Sequence, residues 1–367
     1  MPHAAVAPSP STTPRWRAQH RARVRRVGAR AAPTPIDVVT VDEYAEKLKP
    51  LAQSAALVGA FYDSRVNVIA RGALQACAIP LLDRGFHRGH GVFDACAIRG
   101  GGAHELRAHV ERLVSSAREA RIDFIRDVDE IEAIVMATIR ASGVRDGQVR
   151  MYVTSGVARS FALTDMGDTA SFYVACYAKA PDVDGDARAM RDGWRAVSSP
   201  IPIKPPKYAR LKSTNYMPNV HCAMDASERG ADVGCFLTTD GFIGEGPGAN
   251  VAFLTPDGTL RTPPATEVLG GITIRRIKEL IEMPANAKAL RKVGVKKFDD
   301  SQPLSAFVVI GAEEAMLIGS ACDVKPIVQW DGKLIGDGTV GAATKLLAEL
   351  LAHDMLHGDS RVDVDAI

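Results

Sequence analysis

Residues Ala209–Val220 read ARLKSTNYMPNV, and residues Gly241–Phe253 read GFIGEGPGANVAF. The first stretch sets Lys212 three positions ahead of Asn215. The second sets Glu245 between glycines and five positions ahead of Asn250. A lysine amine adds to a carbonyl carbon, and the imine so formed exchanges readily with another amine. Gly246 and Gly248 permit close approach of the backbone to a flat ligand. Taken alone, Lys212 also fits a solvated surface position, as Lys204 and Lys207 do, and the glycine-rich stretch also fits a plain turn.

Outward from these stretches lie four more segments. Leu81–Ala95 reads LLDRGFHRGHGVFDA, His109–Ala117 reads HVERLVSSA, Val268–Thr273 reads VLGGIT and Ile318–Ile327 reads IGSACDVKPI. Arg112 offers a fork that can grip a phosphate bidentately; the alternative is an amphipathic helix with a solvated arginine. Gly271-Ile272-Thr273 is suited to open a helix, whose first backbone N–H groups attract an anion.

In this order the segments resemble the class IV aminotransferases, the pyridoxal-phosphate enzymes of fold type IV. The group includes D-amino acid aminotransferases, branched-chain aminotransferases and 4-amino-4-deoxychorismate lyases. The resemblance runs from about Leu81 to Asp337. It implies an α+β fold of two lobes, a small N-terminal α/β lobe and a larger C-terminal β-rich lobe. It also implies a homodimer acting on an amino acid and a 2-oxo acid. By the same resemblance Lys212 holds the aldehyde of pyridoxal 5'-phosphate as a Schiff base, and Glu245 keeps the ring nitrogen protonated. Asn250 and Phe253 complete the glutamate motif, and Leu269 lies against one ring face. Arg112, Gly271, Ile272 and Thr273 are implied to hold the phosphate. A looser match puts Ser320 and Ala321 where phosphate or substrate carboxylate is touched.

Branched-chain enzymes carry one more residue between the lysine and the asparagine, so the spacing Lys212–Asn215 favours the D-amino acid enzymes and the lyases. The blocks HRGHGVFD and SSPIPIKPPKYARLKSTNYMPNV are most similar to a plant plastid branch described under both activities. Some positions depart from the bacterial D-amino acid pattern. Phe93 stands where a tyrosine hydroxyl helps hold the substrate carboxylate, and Asp94 follows it. Arg159 falls one residue from an arginine that reaches a neighbouring subunit's site, with Phe161 in place of a histidine. Arg159 is therefore a candidate carboxylate clamp or a plain loop arginine. His87, with Arg88 and His90, either shapes a polar pocket or sits on a turn. The expected activity is transamination of a D-amino acid. The alternatives are aminodeoxychorismate lyase, a branched-chain-type enzyme and, in another class, an inactive scaffold or nucleic-acid-binding protein.

Periodicity supplies the elements. Leu106–Arg121 is expected as a helix with Leu106, Val110, Leu113, Val114 and Ala117 on one face, and Val128–Ala141 as a second helix ending at Ser142-Gly143. Val39–Val58, Pro218–Arg229, Ile272–Ile281 and Thr344–Leu351 also read as helices. Strands are expected at Val149–Thr154, Ser171–Ala178, Trp194–Ile203, Phe307–Ile310 and Met316–Ile318. The division that follows is an arm over 1–36, a small lobe over 37–183, a linker over 184–192, a large lobe over 193–358 and a tail over 359–367.

Composition narrows the class. The chain has 367 residues, 46% of them hydrophobic and 24% charged, which excludes a disordered or fibrous protein. No apolar run is long enough for a membrane helix. Seven arginines precede the first acidic residue, Asp37, and they more than account for the net charge of +2. An Arg-rich arm that lacks acids and contains Ser and Thr reads as an organelle transit peptide, and the plant-like blocks point to a plastid ahead of a mitochondrion. A nucleic-acid-binding arm is the competing reading. The six cysteines form no C-x-x-C pair, so neither a metal site nor a disulfide framework is signalled. There is no P-loop, G-x-S-x-G or H-E-x-x-H.

Overall fold

A computed structural model describes residues 39–40, 42–43, 46, 58–71, 78–179 and 185–365. The Arg-rich arm and most of the helix expected over Val39–Val58 lie outside the described residues.

Two sheets organise the chain. The first contains β1 (Val58–Asp63), β2 (Val68–Arg71), β3 (Gly91–Arg99), β4 (Gly102–His104), β5 (Gly147–Thr154) and β6 (Ser171–Ala178). The second contains β7 (Trp194–Ser199), β8 (Val233–Phe236), β9 (Asn250–Leu254), β10 (Thr259–Arg261), β11 (Lys297–Asp299), β12 (Glu314–Gly319), β13 (Asp323–Trp330) and β14 (Lys333–Leu334). The last strand, β15 (Arg361–Asp363), returns to the first sheet and pairs with β4. The strand orders are β15-β4-β3-β5-β6-β1-β2, antiparallel throughout, and β11-β10-β9-β12-β13-β7-β8, with β14 on β13. The longer helices are α1 (Leu106–Glu119), α2 (Val128–Ser142), α3 (Gly185–Asp192), α4 (Met217–Glu228), α5 (Ile272–Glu282) and α6 (Ala342–His357).

Alternation decides which face of the first sheet is core. Along β5, Val149, Met151 and Val153 are fully buried in one cluster with Leu106, Val110 and Leu113 of α1 and Ile131, Val135 and Ile139 of α2. Gln148, Arg150 and Tyr152 therefore point to the opposite face. β3 repeats the pattern. Val92, Cys96 and Ile98 join the same cluster, so Phe93 and Ala95 share the other face with their register partners Tyr152 and Arg150. In the second sheet, β9 and β12 are buried on both sides. Ala252, Leu254, Met316 and Ile318 pack with Ile277 of α5 and Leu347 and Leu351 of α6. Val251, Phe253, Ala315 and Leu317 pack with Trp330. That is why these strands read as unbroken apolar runs.

One expectation is corrected here, and two are given more detail. Phe307–Ile310 lies in a short helix, Ala306–Gly311, and is not a strand. Phe307 and Ile310, three apart, are both exposed while Val309 is buried, a helical period that four apolar residues are too few to reveal. Most of the segment expected as a linker is helix α3. Its Ala, Arg and Met residues favour helix, and Asp186 accepts from Lys179 Nζ and Lys325 Nζ. The expected tail contains β15, whose R-V-D-V-D alternation buries Val364 against the first cluster. The hairpin β1–β2 is an addition to the expected elements. Its turn passes through Asn67 at φ 53, a left-handed position that asparagine tolerates.

Candidate active site

The lysine loop is zipped to the start of β3. Phe93 N–H donates to the Lys212 carbonyl at 2.8 Å, and Thr214 N–H donates to the Gly91 carbonyl at 2.9 Å. Asn215 Nδ2 donates to the carbonyl of Gly89 at 2.9 Å. Asn215 thus pins the loop instead of entering the cleft, which gives the K-x-x-N spacing a local cause. Held in this way, Lys212 places Nζ 4.9 Å from the centre of the Phe93 ring. Burial, helped by the Arg112 guanidinium, draws its pKa down to about 8 against the pull of Asp94 and Glu245.

Glu245 follows β8 on the far side of the same cleft. Gly244 N–H donates to the Phe236 carbonyl and Phe236 N–H donates to the Glu245 carbonyl, which carries the chain inward there. The Glu245 side chain is buried, and Oε2 accepts from Leu269 N–H at 3.1 Å. Burial pushes its pKa up to about 7, opposed by that N–H and by Lys204 and Lys212. Asn250 Nδ2 donates to the Leu269 carbonyl at 2.9 Å and so braces the turn before α5.

The third wall is built for an anion. Gly271 caps α5 without any side-chain hydrogen bond, so the first-turn N–H groups are left open. Thr273 Oγ1 lies 3.1 Å from Ser320 Oγ, which in turn lies 3.5 Å from His109 Nε2. Arg112 reaches the same place from α1, but its fork is committed. Nε and Nη2 donate to Asp94 at 2.8 Å each, and Nη1 donates to the Gly270 carbonyl at 2.9 Å. Only its outward hydrogens remain for a ligand. Asp94 is fully buried and also accepts from His109 Nδ1 at 2.7 Å. Burial alone would raise the Asp94 pKa; Arg112 and His109 outweigh it and hold the group well below the usual carboxylate range. Burial lowers that of His109. Asp94→Ala should therefore leave the buried His109 and the partly buried Arg112 without their shared carboxylate and cost about 3 kcal/mol in urea unfolding. A loss below about 1 kcal/mol would contradict this arrangement.

The expected residues Arg112, Lys212, Glu245, Asn250, Leu269, Gly271, Ile272, Thr273 and Ser320 thus meet around one cleft. Phe93 and Ala321 line an adjoining pocket that also opens onto Lys212. Two expected residues are not brought there. Arg159 is exposed on the loop after β5 and paired with Asp168. His87 sits edge-on to Phe161 with its ring centre 5.7 Å away. Neither lines the cleft or the adjoining pocket.

The site holds other residues that the sequence does not single out. Lys204, which reads as a surface lysine, lines the cleft; its Nζ lies 5.2 Å from the Tyr216 ring centre, and burial lowers its pKa. Tyr216 packs edge-on to Phe93 at 5.1 Å, and burial raises its pKa to about 12. Asn219 borders the cleft from α4. Gln148, Arg150 and Tyr152 line the adjoining pocket, and the alternation of β5 is the available signal for them. Among the described residues no group of His, Cys, Asp and Glu is arranged to hold a metal, and no helix is long and apolar enough to cross a membrane.

Known proteins share this architecture. A branched-chain amino acid aminotransferase from T.th., solved with pyridoxamine 5'-phosphate, matches with a TM-score of 0.74 at 22% identity, over 84% of this chain and 99% of that one. The chloroplastic D-amino-acid transaminase of Arabidopsis thaliana is 36% identical over 90% of this chain and 85% of its own length. The D-alanine aminotransferase of Bacillus licheniformis is 26% identical over 79% of this chain and 98% of its own. The family model for amino-transferase class IV matches residues 91–330, which takes in the lysine loop, the glutamate turn and the anion wall. This chain belongs to the class IV aminotransferases.

Proposed function

We propose that this enzyme uses pyridoxal 5'-phosphate to exchange the amino group of a D-amino acid with a 2-oxo acid. The observation that carries the reading is Lys212, whose amine is buried with a pKa drawn down to about 8, in a cleft shared with Glu245.

The cleft suits the cofactor at both ends. Asn219 Oδ1 is a buried oxygen with no protein partner at its edge. A Cβ at Gly271 would land on the Asn250 amide, so only glycine lets the turn before α5 pack against Asn250 at the cleft. Lys212 would hold the aldehyde, Glu245 the ring nitrogen, and Arg112, Ile272, Thr273 and Ser320 the phosphate. When bound, pyridoxal phosphate supplies an aldehyde for the substrate amine and a ring that draws electrons from the α-carbon. Lys212 Nζ would take the proton from the substrate α-carbon and deliver it to the carbon that carried the aldehyde. A lysine needs its neutral form for this, and burial supplies a share of it near neutrality. The rate at which apoprotein takes up pyridoxal phosphate should therefore climb with pH and level off past about 8. A rate still climbing steeply above about pH 10, as for an ordinary lysine, would contradict the assignment.

Arg150 supports a carboxylate-bearing substrate. Among the described residues it has no acidic partner. Its Nη2 meets the Gln148 amide oxygen at 3.5 Å, and its guanidinium covers Tyr177. Nearby, Arg99 is held by Asp323 and Lys179 by Asp186. A guanidinium with no acidic partner among the described residues, in a pocket that opens onto Lys212, suits a substrate carboxylate. Arg150→Ala should raise KM about tenfold or more, and an unchanged KM would remove Arg150 from this role.

The D-amino acid choice is supported by the Arabidopsis relative and by the Lys212–Asn215 spacing. That relative's chloroplastic name and the Arg-rich arm support a plastid location. Exposed Leu81, Phe86, Phe161 and Leu163 support a homodimer. Half-reaction spectroscopy tests the substrate. D-amino acids should convert the bound cofactor to its amine form, and L-amino acids should not. Release of 4-aminobenzoate from aminodeoxychorismate, with no exchange onto a 2-oxo acid, would overturn the reading in favour of a lyase.

A further inference from the structure

The start of α5 and Arg112 in the middle of α1 form the anion wall, and one largely buried ion network ties the starts of these two helices together. α1 begins just after His104 and Glu105, and it carries His109 and Arg112. α5 begins at Ile272, and just beyond Thr273 it carries Arg275 and Arg276. Arg276 Nε and Nη2 donate to the two oxygens of Asp354 on α6, at 2.9 and 2.7 Å. Asp354 Oδ2 also meets His104 Nε2 at 2.8 Å. Glu105 accepts from Arg275 Nη2 at 2.8 Å and lies 3.8 Å from Arg276 Nε. The side chains of His104, Asp354 and Glu105 are 4%, 6% and 8% exposed.

Burying such a set is costly, and apolar side chains would join the elements at least as strongly. Directional hydrogen bonds do something apolar packing does not. They fix the angle and register of the groups they join. The tie also acts where the backbone is strained, because Glu105 holds φ 56 directly ahead of α1. None of Glu105, Arg276, Asp354 and His104 lines the cleft.

We propose that Glu105, Arg276, Asp354 and His104 are positioning residues for the phosphate end of the cofactor, holding the starts of α1 and α5 so that Arg112 and the α5 N–H groups converge on one anion. This inference rests on the pyridoxal-phosphate reading. A role confined to the phosphate end separates it from general support of the fold. Pyridoxal, which has the ring and aldehyde but no phosphate, should be indifferent to the network.

The test is equilibrium titration of apoprotein with pyridoxal phosphate and with pyridoxal, read by the absorbance of the bound ring. Asp354→Asn should weaken pyridoxal phosphate by about tenfold or more, the scale of one lost charge-assisted hydrogen bond, and change pyridoxal by less than about twofold. The double variant Asp354→Leu with Arg276→Met restores apolar packing, guards against simple unfolding, and should show the same selective loss. Equal losses for both ligands, or an unchanged constant for pyridoxal phosphate in a folded variant, would overturn the inference. Wild-type protein that takes up neither ligand would instead overturn the reading beneath it.

Discussion

Lys212→Ala is expected to lower transamination by at least about 10⁴-fold, because the proposed function has one side chain both hold the cofactor aldehyde and move the α-proton. The fold should survive. In the native state burial lowers the Lys212 pKa from 10.5 to about 8, so the charged amine costs stability. That cost is full below about pH 8, where both folded and unfolded chains are protonated, and it fades as pH rises toward the unfolded value. The variant should therefore be at least as stable as the parent at about pH 7, measured by urea unfolding of the two apoproteins. Activity within about tenfold of the parent would remove Lys212 from the chemistry. A clear loss of stability at that pH would show that its amine is not desolvated as described.

Glu245→Gln is expected to reduce kcat by roughly 10²–10³-fold, the scale of losing one preorganised electrostatic partner at a reacting centre. The neutral amide keeps the shape and the hydrogen bond from Leu269 N–H, but it cannot hold a proton on the ring nitrogen. Stability supplies a second readout. Burial raises the folded pKa of Glu245 from 4.5 to about 7. The folded apoprotein therefore binds this proton more tightly than the unfolded chain, and the parent loses stability as pH rises from 4.5 to about 7. Glutamine does not ionise, so the variant's advantage as apoprotein should grow over that window and then stay constant. A kcat within about threefold of the parent, with cofactor bound, would contradict the role given to Glu245.

The parts of the site that are legible in the sequence are those set by short local spacing. Lys212 and Asn215 lie on one loop, Glu245 and Asn250 on one turn, and His109 and Arg112 on one helix face. The strands β5 and β6 and the helices α1 and α2 are legible for the same reason, since their apolar period is long enough to count. Contacts that cross from sheet to sheet leave no such trace. In the sequence Asp94 stands out only as a departure beside Phe93, yet it holds both Arg112 and His109. That pairing depends on α1 packing over β3, which no local pattern states. Arg150 is hidden inside a strand, although Val149, Met151 and Val153 already imply that it points away from the core. Phe307–Ile310 and β15 are too short for their period to decide between helix, strand and coil.

The central claim is that one lysine carries the cofactor. Lys204 is the competitor, since it lines the same cleft and burial also lowers its pKa. The decisive measurement is borohydride reduction of protein loaded with pyridoxal phosphate, followed by peptide mapping. A single phosphopyridoxyl-modified peptide with the label on Lys212 is the expected result. Label on Lys204 or another lysine, or no label at all, would contradict the account.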